Sequence, residues 1–138
     1  MIDHRCAGLA AEVQRWTGGL GADLVLESIG GATFRASLAA TRRVTGRVVV
    51  YGMASGEAAV TNRELNFTHP IHLIGLHIGI LAERAPAVFA GLMEELSVLR
   101  AAGIHTPGQP TVYDLPDGPK ALAELAAGTT VGKLALRP

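Results

Sequence analysis

Hydrophobic positions along the chain switch between two periods. Leu9, Val13 and Trp16 recur at helical spacing, and Gly18-Gly19 follows as a stop, which predicts a helix. Asp23-Leu24-Val25-Leu26-Glu27-Ser28 reads as a buried strand ended by Gly30-Gly31, and Phe34 with Leu38 marks a short helix. Arg47-Val48-Val49-Val50-Tyr51-Gly52 is the clearest strand, a run of β-formers between Gly46 and Gly52. Residues 53–70 read as loop with room for one helical turn, and His72 to Ile78 as a further strand. Pro86 opens a long helix at its first turn, where a missing N–H costs nothing. Val88, Leu92, Leu96 and Leu99 give that helix an apolar stripe, and Gly103 closes it.

The pattern changes after the turn-rich His105-Thr106-Pro107-Gly108. Thr111 to Leu115 suggest a strand. Asp117 is an N-cap candidate for a helix carrying Leu122 and Leu125, which Gly128 ends, and Val131 to Leu136 give a final strand. Strands apolar on both faces and separated by helices predict an α/β fold, with a parallel sheet covered on both sides. Residues 1–104 form that part. Residues 105–138 read as a separate β-α-β element with no evident partner for its apolar face.

Composition narrows the field. A chain of 138 residues with 49% hydrophobic and 17% charged positions suffices for one compact domain, and a mean hydropathy of +0.30 argues against disorder. Twelve basic and twelve acidic residues cancel, so no basic field is available for a nucleic-acid backbone or an anionic membrane. Cys6 is the only cysteine, which excludes an internal disulfide or a thiolate cluster within one chain. The first residues carry no apolar leader, and Leu73 to Ala90 is interrupted by His77, Glu83, Arg84 and Pro86. The expectation is a soluble, cytoplasmic protein.

Most chemical motifs fail on spacing. Gly19-Leu20-Gly21 lacks the third glycine of a dinucleotide fingerprint and precedes a strand instead of following one. Gly128-Thr129-Thr130-Val131-Gly132-Lys133 is one residue short of a phosphate loop, and Leu134 replaces its hydroxyl residue. His69, His72 and His77 are close in sequence, but strand alternation sets His72 opposite both others, so ordinary strand-end histidines are the expected reading. Gly52-Met53-Ala54-Ser55-Gly56 has its serine one place late for a nucleophile elbow. Cys6 precedes a helix and reads as a small half-buried residue. Two glycine-rich strand ends remain, Ser28-Ile29-Gly30-Gly31 and Tyr51-Gly52-Met53-Ala54. Ligands of open α/β sheets bind outside such ends. There, glycine lets a flat ring approach the backbone or simply makes a tight turn.

The run Thr17 to Gly31 resembles the second half of the nucleotide-binding domain of medium-chain dehydrogenases/reductases, with the nearest likeness to their quinone-oxidoreductase branch. Gly46 to Gly52, Leu73-Ile74-Gly75 and the tail Gly128 to Leu134 extend the likeness over nearly all of the chain. The resemblance implies a partial Rossmann-type parallel sheet, the second half of a doubly wound domain, with its third strand at Ile2-Asp3-His4. Residues 105–138 would then be the C-terminal segment of a catalytic domain. The catalytic front half, the glycine fingerprint and any zinc ligands would lie outside this chain.

By the same resemblance the cofactor is NADP or NAD; the choice between them is made at a strand that this chain lacks. Gly30 and Gly31 would border the cofactor ribose, Tyr51, Gly52, Met53 and Ala54 would pass beside the nicotinamide ribose, and Leu76, His77 and Ile78 would meet the carboxamide, chiefly through backbone groups. No residue matches a catalytic acid, a proton relay or a metal ligand. The implied activity is hydride transfer to a quinone, enone or aldehyde, inactive in the isolated chain. A non-catalytic remnant that binds a partner chain or weakly binds a nucleotide is the alternative, and a methyltransferase-like domain ranks behind both. A homodimer through strand 72–78, or through an exposed edge at 23–28, is the expected assembly, with neither nucleic acid nor membrane as partner.

Overall fold

The computed structural model describes residues 8–104 and 108–138. Cys6, the strand expected at Ile2-Asp3-His4 and most of the turn starting at His105 lie outside the described residues. The chain divides into two compact units, Met1–Pro86 and Ala87–Pro138.

The first unit runs α1 (Leu9–Trp16), β1 (Leu24–Glu27), α2 (Gly31–Ala40), β2 (Arg47–Val50), a π-helical turn (Glu64–Thr68), β3 (His72–Gly75) and α3 (Ile78–Arg84). Its strands form a parallel sheet in the order β1-β2-β3, with Val25 opposite Val48 and Val48 opposite Leu73. Alternation sends Val25, Val48 and Leu73 to one face, where α2 sets Phe34 and Leu38 against them. Val48 and Leu38 are almost wholly buried, and Val50, Val60 and Ile71 pack around the cluster. α1 lies against α2, and the Gln14 side chain donates to the Ala39 carbonyl. The turns at Gly18-Gly19 and Gly21 have positive φ and carry the chain from α1 into β1, so this glycine group is a helix-to-strand connection.

Several details depart from the sequence pattern. The pattern predicts a sheet covered on both faces, yet Leu24, Leu26 and Ile74 on the face away from α2 are 52%, 63% and 42% exposed. β3 ends at Gly75 instead of running to Ile78, because the His77 ring accepts the Ile80 N–H at 3.2 Å and starts α3. β2 stops at Val50, after which the chain turns back over the end of β1. In the second unit Asp117 stands at the N-cap of its helix, but its side chain makes no capping bond.

The second unit holds most of α4 (Pro86–Ala101), then β4 (Thr111–Asp114), a 3-10 turn (Leu115–Asp117), α5 (Gly118–Ala126) and β5 (Leu134–Arg137). β4 and β5 pair in parallel, with Tyr113 opposite Leu136. The Tyr113 hydroxyl donates to Glu124 at 2.6 Å, tying α5 to β4 and holding the phenol above its usual pKa. β5 begins at Leu134, not Val131, which is 92% exposed. Gly128 to Lys133 follows a helix and leads into a strand, the reverse of the order a phosphate loop requires. Among the described residues no helix is long and apolar enough to cross a membrane.

The π-helical turn is secured by a reciprocal box. The Glu64 carboxylate accepts the Thr61 N–H and hydroxyl, while the Glu64 N–H donates to the Thr61 hydroxyl oxygen. These bonds, together with the Arg35 guanidinium, hold the Glu64 carboxyl below its usual range. A depressed carboxylate contributes stability above its unfolded pKa and loses it as pH falls through the folded value. The stability gap between wild type and Glu64→Gln is therefore expected to be widest near neutrality and to close as the pH falls below the ordinary carboxylate range. Urea unfolding across that interval checks it; a gap independent of pH would contradict the box.

Candidate functional site

The three described parallel strands of the first unit end at the same edge of the sheet, and the chain must leave each by a turn. After β1 comes Ser28-Ile29-Gly30; after β2 comes 51–56; after β3 comes Leu76-His77. These exits are bonded to one another through main chain. Tyr51 N–H donates to the Glu27 carbonyl at 2.9 Å, Ala54 N–H to Ser28 at 3.1 Å, Ser55 N–H to Ile29 at 2.6 Å and Gly31 N–H to Gly56 at 3.1 Å. Leu76 N–H bonds the Val50 carbonyl at 2.8 Å.

Glycine is required at two of these positions. A Cβ on Gly52 would stand 2.7 Å from the Ser28 carbonyl oxygen. Gly30 has φ 78 and ψ −161, a region closed to side-chain-bearing residues, and its Cβ would come within 2.1 Å of the Gly56 carbonyl oxygen.

The exits enclose a cleft of about 640 Å³. Ligand pockets span roughly 300–1,000 Å³, so it suits a small ligand or one part of a larger one. Gly30, Tyr51, Gly52 and Met53 contribute to its wall, as do Leu76 and His77. Gly31 and Ala54 do not line it; they act through the bonds to Gly56 and Ser28. Ile78 lines a second hollow of about 470 Å³, formed with Leu26 and Val49, and Tyr51, Leu76 and His77 border both spaces.

Sequence reasoning missed Gly75, the 56–58 stretch with Glu57, and the core residues Phe34, Val50, Val60 and Leu73, which also extend the cleft wall. Gly75 carried no such signal, since the sequence pattern sets it inside a strand running to Ile78; the structure makes it the end of β3. Its added Cβ would meet nothing within 4 Å, so the cleft is open there.

The chemistry of the lining is simple. Among the described residues Glu57 is its one carboxylate, and neither lysine nor arginine contributes. Such a wall suits a neutral or cationic ring better than a phosphate. Because His77 Nδ1 accepts the Ile80 N–H, Nε2 carries the proton of the neutral imidazole and is a donor. His69 ends the π-helical turn and His72 lies in β3. Among the described residues no group of three or more His, Cys, Asp and Glu could hold a metal ion. The described residues therefore do not fit a zinc site, and no chemistry is routed through one.

Gly30→Ala and Gly56→Ala separate close approach from strain. Gly56 has φ 97 but open space around its would-be Cβ. Gly56→Ala should cost on the order of 1–3 kcal/mol of backbone strain. Gly30→Ala adds a clash and should cost clearly more, or unfold the unit. Urea denaturation of both variants tests this; equal losses would show that the two turns are not in close contact.

A family model for zinc-binding dehydrogenases matches residues 1–136. A quinone oxidoreductase of Pseudomonas syringae is 28% identical with a TM-score of 0.84, the match covering 99% of this chain and 42% of that one. The Escherichia coli quinone oxidoreductase, solved with NADPH, is 26% identical with a TM-score of 0.83 and the same two coverages. A mycocerosic acid synthase-like polyketide synthase of Mycobacterium tuberculosis is 28% identical over 136 residues, 99% of this chain and 6% of that protein. The chain thus spans less than half the length of these relatives. Its fold is that of the C-terminal, Rossmann-like half of the solved enzymes. The chain belongs to the zinc-binding dehydrogenase family, among the medium-chain dehydrogenases/reductases.

Proposed function

We propose that this member of the zinc-binding dehydrogenase family supplies the nicotinamide-side wall of an NADPH-dependent oxidoreductase that reduces a quinone, enone or aldehyde. The observation that carries the reading is the cleft at the carboxyl ends of β1, β2 and β3, lined by Gly30, Gly52 and Gly75 and by Tyr51 and His77. A nicotinamide carboxamide pairs one acceptor with one donor group; with Leu76 N–H bonded to Val50 and the His77 carbonyl to Leu81, the Leu76 carbonyl and the His77 N–H are the complementary pair, and His77 adds Nε2–H. The bound nicotinamide supplies the hydride, and the protein holds and orients it. The absence of a cation from the lining supports a division in which the phosphates are met by another part of a longer enzyme, so this chain alone binds NADPH weakly and reduces no quinone.

Gly75→Val tests the cleft. Position 75 shares a face with Leu73 and Val50, has open space beyond it and lacks a positive φ. The variant should therefore fold normally while its side chain fills the binding space. In an NADPH titration followed by amide chemical shifts, the wild-type chain should show weak saturable changes at Gly30, Tyr51 to Met53 and Gly75 to His77, and the variant none. A dissociation constant in the low micromolar range would refute the need for a phosphate cradle elsewhere, and equal binding by the variant would refute the cleft.

The exposure of Leu24, Leu26 and Ile74 favours a second reading of how the chain exists. Parallel sheets are normally covered on both faces, and among the described residues β1 and β3 each have one neighbouring strand, β2. The reading is a homodimer through β3 or through the β1 edge at 23–28. Light scattering after size exclusion should give twice the chain mass, and a stable monomer at high concentration would count against it.

A further inference from the structure

One buried charged residue lies just outside the cleft. Glu27 closes β1, is 2% exposed, and follows the apolar run Leu24-Val25-Leu26. Its Oε1 accepts the N–H of Ile29 at 2.7 Å and of Gly30 at 2.9 Å, and its Oε2 accepts the hydroxyl of Ser37 from α2. Its own carbonyl accepts Tyr51 N–H. Three donors from neutral groups surround the carboxylate, and no ion pair of the described residues involves it.

Burying a carboxylate is costly unless its acceptor sites are filled, and a leucine here would continue the strand pattern without that cost. What the carboxylate does that leucine cannot is hold two consecutive N–H groups of a turn whose glycine lines the cleft. Ser37 ties the other oxygen to α2, whose Phe34 and Leu38 are fixed in the core. The turn is thereby referenced to the rigid part of the unit through one side chain.

We infer that Glu27 is a positioning residue: it sets the place of the Ser28–Gly30 turn, and so the shape of the cleft for the nicotinamide ribose, without touching the ligand. This rests on the cofactor reading above. Chain length is the critical property. In Glu27→Gln the amide oxygen still accepts both N–H groups and the amide nitrogen can donate to the Ser37 oxygen. In Glu27→Asp the side chain is one methylene short of spanning the turn and Ser37 together.

The experiment compares wild type, E27Q, E27D and S37A in the full chain, titrating NADPH at a temperature where core methyl resonances of Leu38 and Val48 show every variant folded. E27D should shift the Ile29 and Gly30 amide resonances and weaken NADPH binding about tenfold, the worth of one lost hydrogen bond to a charged group. E27Q should restore near wild-type affinity. S37A should weaken binding less than E27D. If E27D does not fold, S37A carries the test, and unchanged affinity in it overturns the proposal. Wild-type affinity in a folded E27D also overturns it, leaving Glu27 a stabilising residue only. Failure of the wild type to bind NADPH at all is a separate result: it removes the cofactor reading and this inference with it.

Discussion

The close approach of two turns is the constraint on which the cleft depends. Parallel strands place all their carboxyl ends at one edge, so the exits of β1 and β2 must pass over each other. Their peptide groups cannot be left unpaired in that crowded space. The solution is three main-chain bonds between 28–31 and 51–56, at a separation only glycine permits at Gly30 and Gly52. The floor of the cleft is consequently bare backbone, and a flat ring can lie against it. Glu27 completes the arrangement from below, accepting turn N–H groups that neither strand nor helix satisfies.

This design explains why the core can be small. Phe34, Leu38 and Val48 form the buried cluster, and Val50, Val60 and Leu73 among the partly buried residues around it also build the cleft wall. Val50 and Leu73 belong to both. A wall made from core residues is rigid without a second layer of support, and it needs no polar network of its own. The same economy limits it: a surface of valine, leucine and glycine offers shape and van der Waals contact, while orientation must come from the few polar groups at the rim, His77 and Tyr51 above all.

The elements were legible in the sequence because each apolar run is short and bounded by glycine. Helices over Leu9–Trp16 and Gly31–Ala40 and strands over Leu24–Glu27 and Arg47–Val50 fall where the periodicity sets them. The pattern was misleading where side chains act locally. His72 to Ile78 reads as one strand, but the His77 ring captures the Ile80 N–H and turns the chain into α3. Expected coverage of both sheet faces rested on the apolar character of Leu24, Leu26 and Ile74, which shows what a residue would bury against and not whether the described chain provides it. In the site, Gly30 and Gly52 signalled themselves by their place at strand ends. Glu27 did not, since a carboxylate ending an apolar strand looks like a solvated terminus until its donors are seen.

The lining also constrains how such a wall can contribute to binding. A dinucleotide brings phosphate charge, and the cleft answers it with a carboxylate at Glu57 and no cation. Coulomb attraction from a lysine or arginine side chain, a usual source of phosphate affinity, is not supplied by the described lining. What remains is ring contact and a few hydrogen bonds, each of modest net worth in water. On the proposed reading, affinity is supplied mainly by the phosphate-binding part of a longer enzyme, and this wall converts it into orientation. Orientation is the property hydride transfer needs most, because the reacting carbon must be presented on one face at a fixed height. A wall with little affinity of its own fits that task, since it holds the ring where the turns place it and adds no competing charge.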